Sequence, residues 1–358
     1  MSPLMIHSML EQNKFIRYVQ ELPITNETKN TMMMVARIRT RLPENDYYNT
    51  TTFLSYIAHF NKDYSTENEA SVKYANIRTS LDNIEEQKRE NPQAKFGLTM
   101  YSDQTRNDFI AQKTCGDGFN AHYQKWNYFS RFVEKPLHLS DVTIRADDSI
   151  DWRSKGKVSS VKDQNRCGCC YAFAAVGAVE SQHAIKTGKV IDLSVQQAVS
   201  CTYKDKKYGG NNGCKGGQSD GVFRYIIDNG GIASESSYKT VSPISLSIPK
   251  CEKKPSVAKI SRQSKLTPMD ENNLAKVVKT VGPVVTYIDA DSLMNYKSGV
   301  VSTKSKRINH AVLTVGFTKD YWIIKNSWTP NWGEKGYFRL KRGVNALNMA
   351  QYNFAAYK

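Results

Sequence analysis

No run of apolar residues in this 358-residue chain approaches the ~20 that a membrane-spanning helix needs, which excludes a bilayer-crossing helix. Residues 1–20 also lack the apolar core of about 7 to 15 residues that marks a secretory leader. The run Met32 to Ala36, between Lys29 and Arg37, is too brief to supply one. Histidine is scarce, with six residues, and acidic residues are outnumbered, 34 against 50 basic ones. The resulting charge of +16 is uneven: Lys+Arg and Asp+Glu both number 17 in residues 1–142, against 33 and 17 in residues 143–358. A basic face of this kind could meet acidic glycans, anionic membranes or nucleic acid. The lysines are scattered and no nucleic-acid motif accompanies them, so they read as a solvated face. No internal repeat is visible.

What is present is enough apolar residue, 40%, to bury a full core, and enough length for two or three domain-sized units. Seven cysteines leave an odd one over, which fits a few disulfides plus a free reactive thiol, and six of them lie beyond residue 160. Three fall within Gln164-Asn-Arg-Cys-Gly-Cys-Cys-Tyr-Ala-Phe173, directly before an Ala-rich apolar run over Cys170 to Lys186. That run predicts a buried central helix beginning at Cys170. A thiol there faces unpaired amide donors and the positive end of the helix dipole, which favour a thiolate nucleophile. The alternatives are a structural disulfide or a zinc cluster. The Cys-Gly-Cys-Cys spacing is too tight for zinc ligands, and Cys201, Cys214 and Cys251 are too dispersed to complete a site, so no metal is expected.

Phe53, Ile57 and Phe60, then Ile77, Leu81 and Ile84, recur at helical intervals within the polar stretch 11–92 and predict amphipathic helices. Lys95 to Asp103 alternates enough to predict a short strand, and Lys113 to Asp148 reads as a linker or extended segment. Asn26 and Asn49 head glycosylation sequons, usable only on the secretory route. Beyond residue 280 the texture turns strand-like at Val284–Tyr287, Ala311–Val315, Tyr321–Ile324 and Tyr337–Leu340. A helical half followed by a strand-rich half predicts an α+β class with two lobes.

A cysteine nucleophile needs a base. His7, His59, His122 and His138 belong to the electroneutral N-terminal segment, and His183 lies thirteen residues down the helix from Cys170, about 20 Å away. His310 remains, at the start of a predicted strand. The next strand ends in Asn326, an amide able to orient an imidazole, and Trp328 can shield that bond from water.

With Cys170, His310 and Asn326 in this order, the chain resembles the papain-like cysteine peptidases, cathepsin L-like branch, from about Thr66 to the C-terminus. The resemblance is carried by Asp151-Trp152-Arg153, Gln164 six residues before Cys170, Cys214-Lys-Gly216-Gly217, Asn309-His310-Ala311-Val312, and Asn326-Ser-Trp328 followed by Trp332-Gly333-Glu334-Lys-Gly336-Tyr337. It implies a papain-like two-lobe fold, with a helical left lobe and a β-barrel right lobe, preceded by a mainly helical propeptide. It further implies Cys170 as nucleophile, His310 as general base and then acid, Asn326 as its orienter, and Gln164 as an oxyanion donor beside the backbone N–H of Cys170. Gly216 and Gly217 would pair with an extended substrate, Trp332 would stand at the leaving-group side, and Tyr352, Asn309 and Ala311 would line the second subsite. A bulky Tyr352 predicts a shallow pocket for small or medium apolar side chains.

The N-terminal segment matches the family pro-region more loosely. Glu69, Lys73, Ile77, Ser80, Ile84 and Lys88 follow its helical series, and Gly97, Thr99, Tyr101 and Asp103 its strand motif. Residues 1–145 are therefore expected to form an inhibitory propeptide, helical over about 50–110 with an extended linker over about 111–145, followed by the peptidase domain, 146–358. The resemblance also implies disulfides Cys167–Cys214 and Cys201–Cys251. A third family bridge would join positions near Lys304 and Leu347, neither of which is cysteine. Cys170 would then be free, Cys115 would sit in the propeptide, and Cys169, where the family has Ser, has no assigned role; it could compete for Cys167 or pair with Cys170. Tyr171 replaces the usual Trp.

The implied activity is that of an endopeptidase made as a zymogen, without cofactor, acting on protein or peptide substrates. Its own propeptide and cystatin-type inhibitors are the implied partners, a monomer the implied state, and a lysosomal or secreted location the implied compartment. The missing leader stands against that compartment unless the N-terminus is incomplete. The alternative, a catalytically idle homologue acting as a binding or regulatory module, is disfavoured because Cys170, His310, Asn326 and Gln164 are all present.

Overall fold

The computed structural model describes residues 14–39, 47–116 and 136–357. His7 and His122 lie outside these residues, as does most of the expected linker. The chain divides into two compact units, Met1–Gln87 with Phe96–Thr105, and Lys88–Lys95 with Arg106–Lys358.

The first unit is helical, with α1 Lys14–Glu21, α2 Asn26–Arg39, α3 Tyr47–Phe60 and most of α4 Glu67–Glu90. Thr66 caps α4 by accepting from the Glu69 amide, while the Glu69 carboxylate turns back to the Ser65 N–H, so two donors at the helix start find acceptors. The predicted stripes meet inside, where Phe53, Leu54, Ile57 and Ile77 are fully buried. Asp103 is buried here too, held by the Lys62 ammonium and the Tyr64 hydroxyl, each 2.9 Å away.

The strand expected over Lys95 to Asp103 is confined to β1, Ala94–Phe96. Beyond it the chain turns: the Ser102 hydroxyl accepts from the Thr99 N–H, and the Thr99 carbonyl accepts from the Ser102 N–H. Local side-chain bonds of this kind compete with a strand ladder. The alternation was real, but Thr and Ser converted it into a turn.

In the second unit α5 Arg106–Lys113 replaces the start of the expected linker. After β2, Ile150–Asp151, come α6 Cys170–Thr187, α7 Val195–Thr202, α8 Ser219–Asp228, the single turn α9 Ser242–Ser245, β3 Arg262–Lys265, α10 Glu271–Thr280 and β4 Val284–Ile288. The remaining strands are β5 Tyr296–Val301, β6 His310–Phe317, β7 Tyr321–Lys325, β8 Tyr337–Lys341 and β9 Asn353–Tyr357. Helix α6 begins at the expected residue and ends at Gly188, whose left-handed φ of 79° closes the last turn.

Among the described residues the strands run in the order β1-β5-β8-β7-β6-β4-β9-β3, with β2 added to β6. The implied barrel is thus an open sheet: the hydrogen-bonded path ends at β1 and β3, two short strands that do not pair with each other. Strand β6 runs through the middle, buried at all eight positions, and is paired by β4 and β7. That placement lets a rigid, dry strand carry His310 at its first residue.

The structure joins Cys167 to Cys214 and Cys201 to Cys251. Where the family's third bridge would lie, Lys304 pairs with Ala346 as a β-bridge and the Leu347 N–H donates to the Thr303 carbonyl at 2.8 Å. Backbone bonds hold the two segments that cysteines would otherwise tie.

Candidate active site

Three elements deliver the predicted catalytic residues: the N-terminus of α6 brings Cys170, the start of β6 brings His310, and the residue after β7 brings Asn326. His310 is fully buried, and its Nε2 lies 2.8 Å from Asn326 Oδ1. The Ser327 N–H donates to the same atom at 2.8 Å, which identifies that atom as the amide oxygen. Nε2 therefore carries the ring proton and Nδ1 keeps its lone pair, the tautomer a general base requires. Nδ1 has no hydrogen-bond partner among the described residues. Trp328 stacks on the imidazole, centroids 4.8 Å apart and planes 27° apart. Burial, partly offset by the Asn326 bond, pushes the His310 pKa down to about 4, so the ring is neutral near pH 7.

Gln164 is wholly buried and its side chain is locked at both ends. Its Oε1 accepts from Ser327 Oγ at 2.6 Å, and its Nε2 donates to the Cys167 carbonyl at 3.0 Å. One amide hydrogen remains for a substrate oxygen. The backbone N–H of Cys170, in the first turn of α6, has no intrahelical acceptor and is a second donor. Ser327, which the sequence reading passed over, thus positions two of the candidate residues at once.

Cys170 itself is not free, contrary to expectation: it is joined to Cys115, 55 residues earlier. The segment carrying Cys115 is held on both sides. The Cys115 N–H donates to the Asn309 carbonyl at 2.6 Å, and the Lys113 carbonyl accepts from Trp328 Nε1 at 2.7 Å. Phe109 meets Trp328 edge to face at 5.0 Å, and the Lys113 ammonium lies 3.3 Å from Asp163. A side chain on Gly216, whose φ is +94°, would place Cβ 2.5 Å from the Cys115 carbonyl oxygen, and one on Gly168 would come within 2.7 Å of the Thr114 carbonyl oxygen. These two positions need bare backbone because the Thr114–Cys115 segment of the same chain passes against them.

Other predicted residues take different places. At Gly217 a Cβ would meet Asn211 and Tyr171, so this glycine faces the interior rather than the segment. Asn309 contributes its carbonyl, while its side chain is tied to the Ala290 N–H and to Asp291. Ala311 is buried in β6, and Trp332 is buried with its edge against Trp328 at 4.8 Å. Tyr352 packs against the core with the Lys265 ammonium 5.3 Å from its ring.

Cys169 resolves into a buried free thiol. It pairs with neither Cys167 nor Cys170, and burial pushes its pKa up to about 12, which leaves it protonated and inert. A further group the sequence reading missed lies under the site. Glu180 of α6 accepts from Ser159, Lys162 and the Leu193 N–H, and Ser159 accepts from Lys325 Nζ at 2.9 Å. Burial lowers the Lys325 pKa to about 8, with Glu180 pulling it back up. This network fixes the end of β7, one residue before Asn326, against the helix that carries Cys170.

Two family models match the chain: the papain family cysteine protease over residues 146–357 and the cathepsin propeptide inhibitor domain (I29) over residues 53–109. Cysteine proteinase 15A of Pisum sativum is 32% identical over 348 residues, 91% of either chain. Cathepsin S of Mus musculus is 46% identical over 216 residues, 57% of this chain and 62% of its own. Among solved structures, digestive procathepsin L 3 of Tenebrio molitor superposes with a TM-score of 0.71 at 30% identity, covering 87% of this chain and 99% of that one. A recombinant stem bromelain precursor gives 0.72 at 31% identity, covering 86% and 98%.

Proposed function

This chain belongs to the papain family of cysteine proteases and carries an I29 propeptide, and from that premise we propose that it hydrolyses peptide bonds with Cys170, His310, Asn326 and Gln164. The family membership makes it a cysteine-type endopeptidase with a zymogen form. Once released, the Cys170 thiolate attacks the substrate carbonyl carbon, and the carbonyl pair moves to oxygen, where Gln164 Nε2 and the Cys170 N–H stabilise it. The imidazolium of His310 gives its proton to the leaving amine as the C–N bond breaks, leaving a thioester. Water, deprotonated by His310 Nδ1, then attacks the thioester and expels the thiolate.

The observation that carries this reading is the shared oxygen of Asn326, bonded at 2.8 Å to both His310 Nε2 and the Ser327 N–H. It assigns the proton to Nε2 and leaves Nδ1 as the base. An idle homologue would not require that tautomer. The propeptide is assigned to residues 1–145 and the mature enzyme to 146–358, acting on proteins or peptides as a monomer in a lysosomal or secreted compartment. Cystatin-type proteins are its expected inhibitors.

The test is hydrolysis of fluorogenic dipeptide reporters by protein that has been reduced and processed in acid. Turnover is expected for the natural chain and loss of about 10³-fold or more in kcat for His310→Ala. Absence of turnover in the reduced natural chain at every pH would favour the idle homologue. Phe-Arg and Val-Arg reporters further test Tyr352 as the floor of the second subsite; a clear preference for Phe would remove the shallow pocket.

A further inference from the structure

The bridge between Cys115 and Cys170 lies within the proposed site and goes beyond its chemistry. We infer that Cys115 is a covalent cap on the nucleophile, a thiol–disulfide site that makes activation of this zymogen depend on a thiol reductant. The inference rests on Cys170 being the nucleophile. A bonded sulfur has no thiolate to offer, so in this form the site cannot attack a carbonyl whatever the pH. Noncovalent contacts already hold the segment: Cys115 N–H on Asn309, the Lys113 carbonyl on Trp328, Lys113 on Asp163, and Arg106 Nε on Asp291 at 3.1 Å. Acid does not cleave a disulfide, so acidification alone leaves this bond in place.

Release follows by two exchanges. A thiolate RS⁻ attacks Cys115 Sγ, the Cys115–Cys170 bond breaks, and its electron pair leaves on Cys170 as a thiolate. A second RSH then attacks the mixed disulfide on Cys115, giving the Cys115 thiol and RSSR. In sum two RSH are oxidised to one RSSR, two electrons reduce the bridge, and the two protons end on Cys115 and Cys170 or in solvent. Attack at Cys115 is favoured on two grounds. Cys115 retains 4% exposure where Cys170 has none. Cys170 is also the better leaving group, because the N-terminus of α6 stabilises its thiolate. The reductant is therefore a small thiol, such as a tripeptide thiol at millimolar level, rather than a protein that must dock its own active site on a buried sulfur.

The inference also gives the odd cysteine a role. With Cys167–Cys214 and Cys201–Cys251 formed, the three left are Cys115, Cys169 and Cys170, and the buried Cys169 is inert. Cys115 lies in the segment assigned to the propeptide, so removing that segment leaves a mature domain that carries no trace of the cap.

The experiment compares the natural full-length chain with Cys115→Ser. Thiols are first blocked with N-ethylmaleimide, and a non-reducing peptide map is read by mass spectrometry; a cross-linked Cys115–Cys170 peptide is expected. Both proteins are then held near neutral pH with or without about 5 mM glutathione, so that part of the thiol is present as the attacking thiolate, and afterwards acidified. The natural chain should process and hydrolyse a dipeptide reporter only with glutathione, a difference of at least tenfold, while Cys115→Ser should activate equally with or without it. Equal kcat for the two mature enzymes is the control. Absence of the cross-linked peptide, or activation of the natural chain without thiol as fast as Cys115→Ser, would overturn the cap. Should Cys115→Ser fail to fold, the peptide map of the natural chain decides alone. Inactivity of both fully reduced proteins would overturn the peptidase reading, while the map would still decide the cap.

Discussion

Two disulfides meet at the turn that leads into Cys170, and they hold different things. Cys167–Cys214 closes a 47-residue span inside the peptidase domain, with the Gly168 N–H donating to the Cys214 carbonyl and the Gly168 carbonyl accepting from the Gly216 N–H beside it. Cys115–Cys170 instead brings in a segment from outside that domain and ends on the proposed nucleophile. The first bridge shapes the turn that carries Gln164; the second occupies the thiol which that turn presents. A cysteine three residues from another can thus be permanent architecture while its neighbour is a reversible stopper, and the distinction lies in what stands at the far end of each bond.

The strongest way to break the comparison is to remove the stopper's target. Cys170→Ala should lower kcat by roughly 10⁴-fold or more, because no other group in the site can form the thioester. Cys167 and Cys214 should be unable to substitute for it. Retention of even a hundredth of the reporter hydrolysis would make another residue the nucleophile.

Opening the architectural bridge should instead cost fold. The double change Cys167→Ser with Cys214→Ser is expected to lower unfolding free energy by about 2–5 kcal/mol, read from denaturant melts of the zymogen. A loss below 0.5 kcal/mol, by the same standard, would mean that hydrogen bonds around Gly168 suffice and the contrast is false. Between these lies Gln164→Ala, which removes one oxyanion donor and should reduce kcat about 10²- to 10³-fold with little change in KM. A rise in KM with kcat intact would make Gln164 a binding residue instead.

The smallest effect is one of pH. In the capped form His310 has a pKa near 4, below the 6.5 of an exposed ring, because burial disfavours its charge. Between those values the unfolded chain binds a proton that the folded chain refuses. Stability from this group is therefore complete above pH 6.5 and falls as pH drops towards 4, by up to roughly 3 kcal/mol. Asp220 opposes it in the overall melt: burial raises its pKa to about 6, so its contribution falls as pH rises from 3.8 to 6. The ring resonances of His310 separate the two. Their midpoint should lie near 4 in the capped chain and rise once reduction gives Nδ1 a thiolate neighbour; a midpoint near 6.5 in the capped chain would show a ring open to water.

Much of this arrangement was legible in the sequence where local pattern dictates structure. The start of α6 at Cys170 and strands β4, β6, β7 and β8 follow from periodicity and β-branched runs, whereas Cys170, His310 and Asn326 were singled out as candidates by elimination and Gln164 only through the family resemblance. The turn over 98–104 was not, because its Thr and Ser side chains make bonds that an alternation pattern does not reveal. The open path of the sheet depends on how the edge strands β1 and β3 fall, and three- or four-residue strands leave little signal. Cys115 was the largest omission. Its bond spans 55 residues of chain, and nothing local around Thr114-Cys115-Gly116 distinguishes a cap from a spare thiol. The odd count of cysteines was the available clue, and it was spent on a free Cys170.

The account stands or falls on Cys170 as the reactive thiol. The direct measurement is peptide mass mapping of the reduced, acid-processed protein after treatment with an epoxide thiol inhibitor. The account predicts a single adduct, on the peptide that carries Cys170, with loss of reporter hydrolysis in the same proportion. An adduct on Cys169 or any other residue, or hydrolysis that persists with Cys170 fully labelled, would contradict it.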